Sequence, residues 1–216
     1  MTPTLNYSAI QPMDAILCWG SRRNPVSGLI EIFARHDGVM GPSHVCLCRQ
    51  AGHSTATPAL VTGGPLIWTY TPPTIIEATW TFDGTVNGVR TKPLPQLLAE
   101  YPPGGVKHFA LMPDARKRAD LEAFYASCGQ LDGVAHYSIP QLFRFMLPDT
   151  ILDSITPDAE TAKTLSVVCS GCAAWLLEAC HVFHGVNPLT MAPADFLRLA
   201  DPKLVGGGLF KPGVVI

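Results

Sequence analysis

Charge is scarce in this chain. Asp, Glu, Lys and Arg make up 15% of its 216 residues, against 47% hydrophobic residues, and the formal net charge is -2. The lysines and arginines are scattered and form no basic stripe, so nucleic acid is not an expected partner. So little charge beside so much apolar material argues against disorder and permits a sizeable core. Long apolar runs are missing too. No uncharged apolar stretch of about twenty residues occurs, so no transmembrane helix is expected. The opening "MTPTLNYSAIQPMDAILCW" lacks a basic start followed by a long apolar core, which is the pattern of a secretory signal. Cytoplasmic synthesis is therefore the expectation, with a phage particle or release on lysis as possible final sites. A GxSxG elbow, a glycine-rich phosphate loop and an internal repeat are all lacking. "VGGGLF" at 205–210 precedes no plausible helix and reads as a terminal turn.

Proline and glycine, by contrast, are plentiful at 20 and 19. They favour a loop-rich α+β protein over a helical bundle, and the length fits one domain spanning 1–216. Strands are expected at 14–19 ("DAILCW"), at 43–50 ("SHVCLCRQ"), in "LIWTY", in "TIIEATW", around the Asn87-Gly88 turn signal, and at 106–112. The 43–50 segment alternates, with Val45, Leu47 and Arg49 on one face and His44, Cys46 and Cys48 on the other. Residues 51–65 are rich in Gly, Thr, Ser and Pro and read as a surface loop. Helices are expected at 27–36, at 94–101, at 114–131 with Asp114 as cap, in "SIPQLFRFML", within 161–183 with a start near 166–169, and in "APADFLRLA".

The cysteines number seven, an odd count in a chain without secretory features. A disulfide framework is not expected, and most read as small buried hydrophobes. Cys169 in "SVVCSGCAAWLLEAC" is different, because it sits where an apolar run turns helical. The first turn of a helix offers free N–H groups and a partial positive charge, and both stabilise a thiolate. A neighbouring imidazole lowers a thiol's pKa further, from about 8.5 to about 4–7. The same amides can hold the oxyanion formed when the thiolate attacks a carbonyl. Among seven histidines, His44 opens a strand just after "GPS", held by the sheet yet at its edge. Glu77 lies between Ile76 and Ala78 in a segment otherwise free of charge, where a carboxylate is costly without a partner. If those strands are neighbours, Glu77 can orient the His44 ring. A buried structural thiol is the plain alternative for Cys169, and an ion pair for Glu77. A zinc site from Cys46, Cys48, Cys169 and Cys172 is disfavoured, since the first two lie in an apolar strand and the spacing matches no known finger. No metal or organic cofactor is expected.

"DAILCWG", "SHVCLC", "IIEAT" and "CSGCAAWLLEA", in that order, resemble the circularly permuted branch of the NlpC-type papain-like superfamily. That branch includes YiiX-like proteins and lecithin retinol acyltransferase. "GVAHYSI" (133–139) and "APADF" are similar to two further family segments, so the resemblance runs from about residue 12 to 200. The resemblance implies a papain-like α+β fold with a central antiparallel sheet and the nucleophile at a helix N-terminus. It implies Cys169 as nucleophile, His44 as base and Glu77 as the polar third member of a cysteine hydrolase. Ser170, Tyr137 and Ser43 are candidates for the substrate site or the oxyanion. The implied substrate is an amide in a peptide, foremost the peptides of bacterial cell walls (peptidoglycan). A lipid acyltransferase or thioesterase is the second enzyme reading, and a non-catalytic binding or virion protein the third. The chain departs from the family at Met13-Asp14 for its Gly-Asp, at Gly171 for an acidic residue, at Ser138 for an Asp, and in a long insertion at about 50–73.

Overall fold

The structure, a computed structural model, describes residues 7–20, 41–58, 66–81, 86–138, 166–184, 187–188, 190–201, 203 and 208–216. It is a mixed α+β architecture built on an antiparallel sheet. In chain order the strands are β1 (Ala15–Cys18), β2 (His44–Gln50), β3 (His53–Pro58), β4 (Leu66–Thr71), β5 (Thr74–Trp80), β6 (Asn87–Pro93), β7 (Val106–Phe109), β8 (His136–Tyr137), β9 (Ser166–Val167) and β10 (Val214–Val215). The helices are α1 (Leu94–Leu98), α2 (Pro113–Arg118), α3 (Leu121–Leu131), α4 (Cys169–Ala179) and α5 (Asp195–Leu199). The main sheet has the order β10-β7-β1-β2-β5-β6, and every pairing in it is antiparallel.

Both faces of this sheet are covered, which explains why its central strands read as apolar on both sides. Val45 and Leu47 of β2 and Ile76 and Ala78 of β5 belong to one cluster with Cys169, Cys172, Ala173, Leu176 and Leu177 of α4 and Phe124 and Cys128 of α3. Ile16, Cys18, Cys46, Cys48 and Ile75 form the other cluster with Leu94, Leu97, Tyr101 and Val106. α4 is lined with Gly171, Cys172, Ala173 and Ala174, all buried, and small side chains let a helix lie close on a sheet. α4 ends in a Schellman arrangement: Val182 N–H donates to Leu177 O at 2.8 Å and His181 N–H to Glu178 O at 2.9 Å. His181 holds the left-handed position (φ 61) usually given to glycine.

Met13 also lies in the left-handed region, at φ 69. Its side chain is 2% exposed and packs in the α4 cluster, and that burial offsets a backbone cost of about 1–2 kcal/mol. Asp14 beside it is fully buried. It accepts from Leu111 N–H and Gln11 N–H, both at 2.8 Å, pairs with His108 Nε2 at 2.7 Å, and contacts the Arg116 guanidinium. This carboxylate ties β1 to β7 and α2.

Two expectations need correction. Residues 53–58 are not loop: they form β3, paired with β4 from His53↔Thr71 to Pro58↔Leu66 in a separate two-stranded ribbon. The helix expected at 114–131 is two helices, α2 starting on Pro113 and α3 capped by Asp120, whose Oδ1 accepts from Ala123 N–H at 2.9 Å. The last long helix, α4, runs 169–179, within the expected 161–183 and starting in the expected 166–169 window, with β9 before it. The helices expected at 27–36 and in "SIPQLFRFML" fall outside the described residues, apart from Ser138. Among the described residues no helix is long and apolar enough to cross a membrane.

Candidate active site

The sequence puts Cys169 at the first residue of α4. Val168 before it is extended (φ -96, ψ 169), and no side chain caps the helix. The first intrahelical bond runs from Cys172 N–H to Val168 O at 2.8 Å. The N–H groups of Cys169, Ser170 and Gly171 therefore precede the helix's own ladder. β9 aims this turn, since Ser166 and Val167 pair in parallel with His136 and Tyr137.

His44 stands at the first position of β2, opposite Cys18 of β1. The β2–β5 ladder runs from Leu47↔Ile76 to Gln50↔Thr74, so His44 lies beyond its end. There a side-chain contact joins the two strands: His44 Nε2 is 2.9 Å from Glu77 Oε2. Cys169 lies on the ring as well, close enough to act on its proton. With Nε2 taken by Glu77, Nδ1 is the ring nitrogen left for the sulfur. Tyr101 stacks on the imidazole, with centroids 6.5 Å apart and planes 17° apart, which fixes the ring's plane. Cys169 is 3% exposed and His44 9%.

Burial works against a charged imidazole here, yet hydrogen bonds and attraction to Cys169 and then Glu77 outweigh it and raise His44 well above its ordinary value. Glu77 shows the converse. Burial pushes its carboxyl up, but the His44 bond, the His44 charge and Lys92 prevail and bring it down to about 2. Its second oxygen, Oε1, is 2.7 Å from Lys92 Nζ and 2.9 Å from both Nε and Nη2 of Arg90. Lys92 in turn lies 2.9 Å from Glu100 Oε2. Arg90 is registered directly across from Glu77, and Lys92 follows two residues on, so both cations share the carboxylate's face of the sheet.

The structure brings Cys169, His44 and Glu77 together. It treats the other three candidates differently. Tyr137 is near the sulfur: burial first and the Cys169 charge second push its phenol well above the usual range. The Ser170 hydroxyl is fully buried and donates to Met191 O at 2.6 Å, which anchors α4 and leaves the hydroxyl no line to a substrate. Ser43 is buried, with its hydroxyl donating to Cys18 O at 3.2 Å and its N–H to the same oxygen at 2.9 Å. It is a strand-entry clamp rather than an oxyanion donor. Cys172 belongs to the packing, and burial pushes its thiol far up. All seven cysteines are free and buried. Cys46 and Cys48 lie in the cluster on the opposite face from Cys169 and Cys172, so the four thiols do not converge. Among the described residues no three His, Cys, Asp or Glu side chains group as a metal site.

Sequence reasoning missed Tyr101, Arg90, Lys92 and Glu100. The signal was present for two of them: Arg90 and Lys92 alternate in a strand that follows the lone acid Glu77 by one turn. Chemically the cluster sets a sulfur beside an imidazole fixed by a carboxylate and an aromatic ring, with first-turn amides next to it. No family model matches the chain, and no curated protein or solved structure is significantly similar to it.

Proposed function

We propose that the protein is a cysteine hydrolase of the papain-like, permuted NlpC type that cleaves an amide through an acyl-enzyme. The observation that carries this reading is the chain of contacts from Cys169, at an uncapped helix start, to His44 and on to Glu77. The Cys169 thiolate attacks the amide carbon, and a C–S bond forms. The oxyanion takes hydrogen bonds from first-turn N–H groups, that of Cys169 foremost. His44 then gives its proton to the amine, and the C–N bond breaks. Neutral His44 next takes a proton from water as the water's oxygen attacks the thioester. The C–S bond breaks, a carboxylic acid leaves, and the sulfur departs as thiolate beside imidazolium. Glu77 keeps the ring oriented and remains ionised throughout.

Cell-wall peptide is the first substrate reading, on the resemblance in the motif order. One observation favours the lipid acyltransferase or thioesterase reading as second: the β3–β4 ribbon within the 50–73 insertion exposes Leu66, Ile67, Trp68 and Tyr70, with Trp68 67% exposed. Such a surface suits an acyl chain.

The experiment is iodoacetamide labelling at pH 6 with readout by peptide mass spectrometry, followed by digestion of peptidoglycan and of acyl-lipid substrates by wild type and Cys169→Ala. The expected result is selective labelling of Cys169 and a loss of turnover of about a thousandfold or more in the variant. An unlabelled Cys169 in folded protein would favour the binding or virion role instead.

A further inference from the structure

Lys92 is a lysine in an unusual place for a charge, at 5% exposure. A buried ammonium is retained only where partners repay its desolvation. It has two, Glu77 Oε1 at 2.7 Å and Glu100 Oε2 at 2.9 Å. The contacts on Glu77 are lopsided. Among the described residues Oε1 takes Lys92 and the Nε and Nη2 of Arg90, while Oε2 takes His44. Arg90 is itself 3.6 Å from Glu100 Oε1. The result is a closed set of two carboxylates and two cations lying directly behind the imidazole.

We propose that Lys92 is a positioning residue: with Arg90 it clamps Oε1 so that Oε2 points at the His44 ring, and its positive charge limits how tightly Glu77 can hold the imidazole's proton. This rests on the proposed hydrolase reading and adds a tuning element to it. A carboxylate with no cations behind it would bind imidazolium more strongly and make it a worse acid toward the leaving group. Two cations share that carboxylate's charge and leave the ring able to give its proton up. Glu100 acts as a counterweight, because it draws part of the Lys92 charge away from Glu77.

The other groups facing this site come from every neighbouring element. Cys18 is on β1, Cys46 on β2 beside His44, and Tyr101 follows Glu100 and stacks on the ring. Tyr137 is on β8, and Cys169 and Cys172 are on α4. Burial pushes Cys46, Tyr101, Tyr137 and Cys172 upward, so they stay neutral near pH 7. Lys92, Arg90 and Glu100 are thus the charges through which the Glu77–His44 pair can be tuned.

The test is the pH dependence of Cys169 alkylation by iodoacetamide, read at the Cys169 peptide, in wild type, Lys92→Met, Lys92→Arg and Glu100→Gln, with circular dichroism to verify folding. Removing the lysine takes a cation from the site, so the profile of Lys92→Met should move to higher pH by about half a unit or more. Glu100→Gln leaves Lys92 wholly to Glu77 and should move it to lower pH. Lys92→Arg should restore the wild-type profile. Folded Lys92→Met and Glu100→Gln with profiles that overlay wild type, or that move in the same direction, would overturn the tuning role while leaving the hydrolase reading in place. A wild-type Cys169 that is inert below pH 7 would remove both. If Lys92→Met does not fold, Glu100→Gln decides the matter against Lys92→Arg: a Glu100→Gln profile below the shared profile of Lys92→Arg and wild type supports the proposal, and identical profiles for all three overturn it.

Discussion

Glu77 gathers an imidazole, an ammonium and a guanidinium around one buried carboxylate. Its replacement by Gln would leave Lys92 and Arg90 facing an uncharged amide. Breaking a buried pair in this way costs about 3–5 kcal/mol, so Glu77→Gln should unfold at clearly lower denaturant and lose low-pH labelling of Cys169. The carboxyl's descent from 4.5 to about 2 fixes a pH dependence as well. A depressed folded-state pKa means a contribution that is complete above about 4.5 and lost as pH falls toward 2. It amounts to about 3 kcal/mol. Urea titrations between pH 6 and pH 2 should show this loss, and Glu77→Gln should flatten it. His44, being raised, contributes with the opposite sign: its part is present below its unfolded value of 6.5 and fades as pH climbs through the higher folded value.

At the scale of elements, two backbone positions have sharp expectations. Gly88, the second residue of β6, has φ 141, and a Cβ there would stand 2.2 Å from Ala135 O. Val89 N–H donates to that same carbonyl at 2.9 Å. Gly88→Ala should cost about 1–3 kcal/mol, measured by thermal unfolding, and should disturb Tyr137, whose N–H donates to Asn87 Oδ1. His181→Gly should act in the other direction. The left-handed turn that ends α4 carries an exposed His181, and glycine there should stabilise by up to about 1 kcal/mol. A fall in melting temperature would refute that. Elements were legible where one physical signal dominated. β1, β2 and β5 stood out because their alternating or continuous apolar residues are buried. β3 was hidden because its Ser, Thr and Ala side chains are exposed, so no face was marked. The break at Ala119 was hidden because no Gly or Pro stands between Asp114 and Leu121 to mark an end, and the residues there are ordinary helix formers.

At the scale of the molecule, the sheet separates two jobs. Asp14, at the start of β1, bonds to β7 and α2, while Cys18, at the other end of β1, lies opposite His44. Asp14→Asn should therefore lower stability by about 3–5 kcal/mol and leave the pH profile of Cys169 alkylation unchanged in the folded fraction. A shifted profile would show the two ends to be coupled. The sequence made Cys169, His44 and Glu77 visible because each is a costly or odd residue in its own segment. It hid the rest because Arg90, Lys92, Glu100 and Tyr101 are ordinary residues until the register of β5 with β6 brings them behind Glu77. The hydroxyls of Ser170 and Ser43 differ for the converse reason: polarity beside Cys169 and His44 suggested a chemical role, while burial gave them backbone carbonyls to hold.

The early sheet supplies the imidazole and the late helix supplies the sulfur. During synthesis the imidazole therefore leaves the ribosome long before the sulfur, and under the proposed hydrolase reading a nascent chain halted ahead of β9 has no nucleophile however well its first strands have formed. On that reading, reactivity waits for the sheet to be made first, an order written into translation.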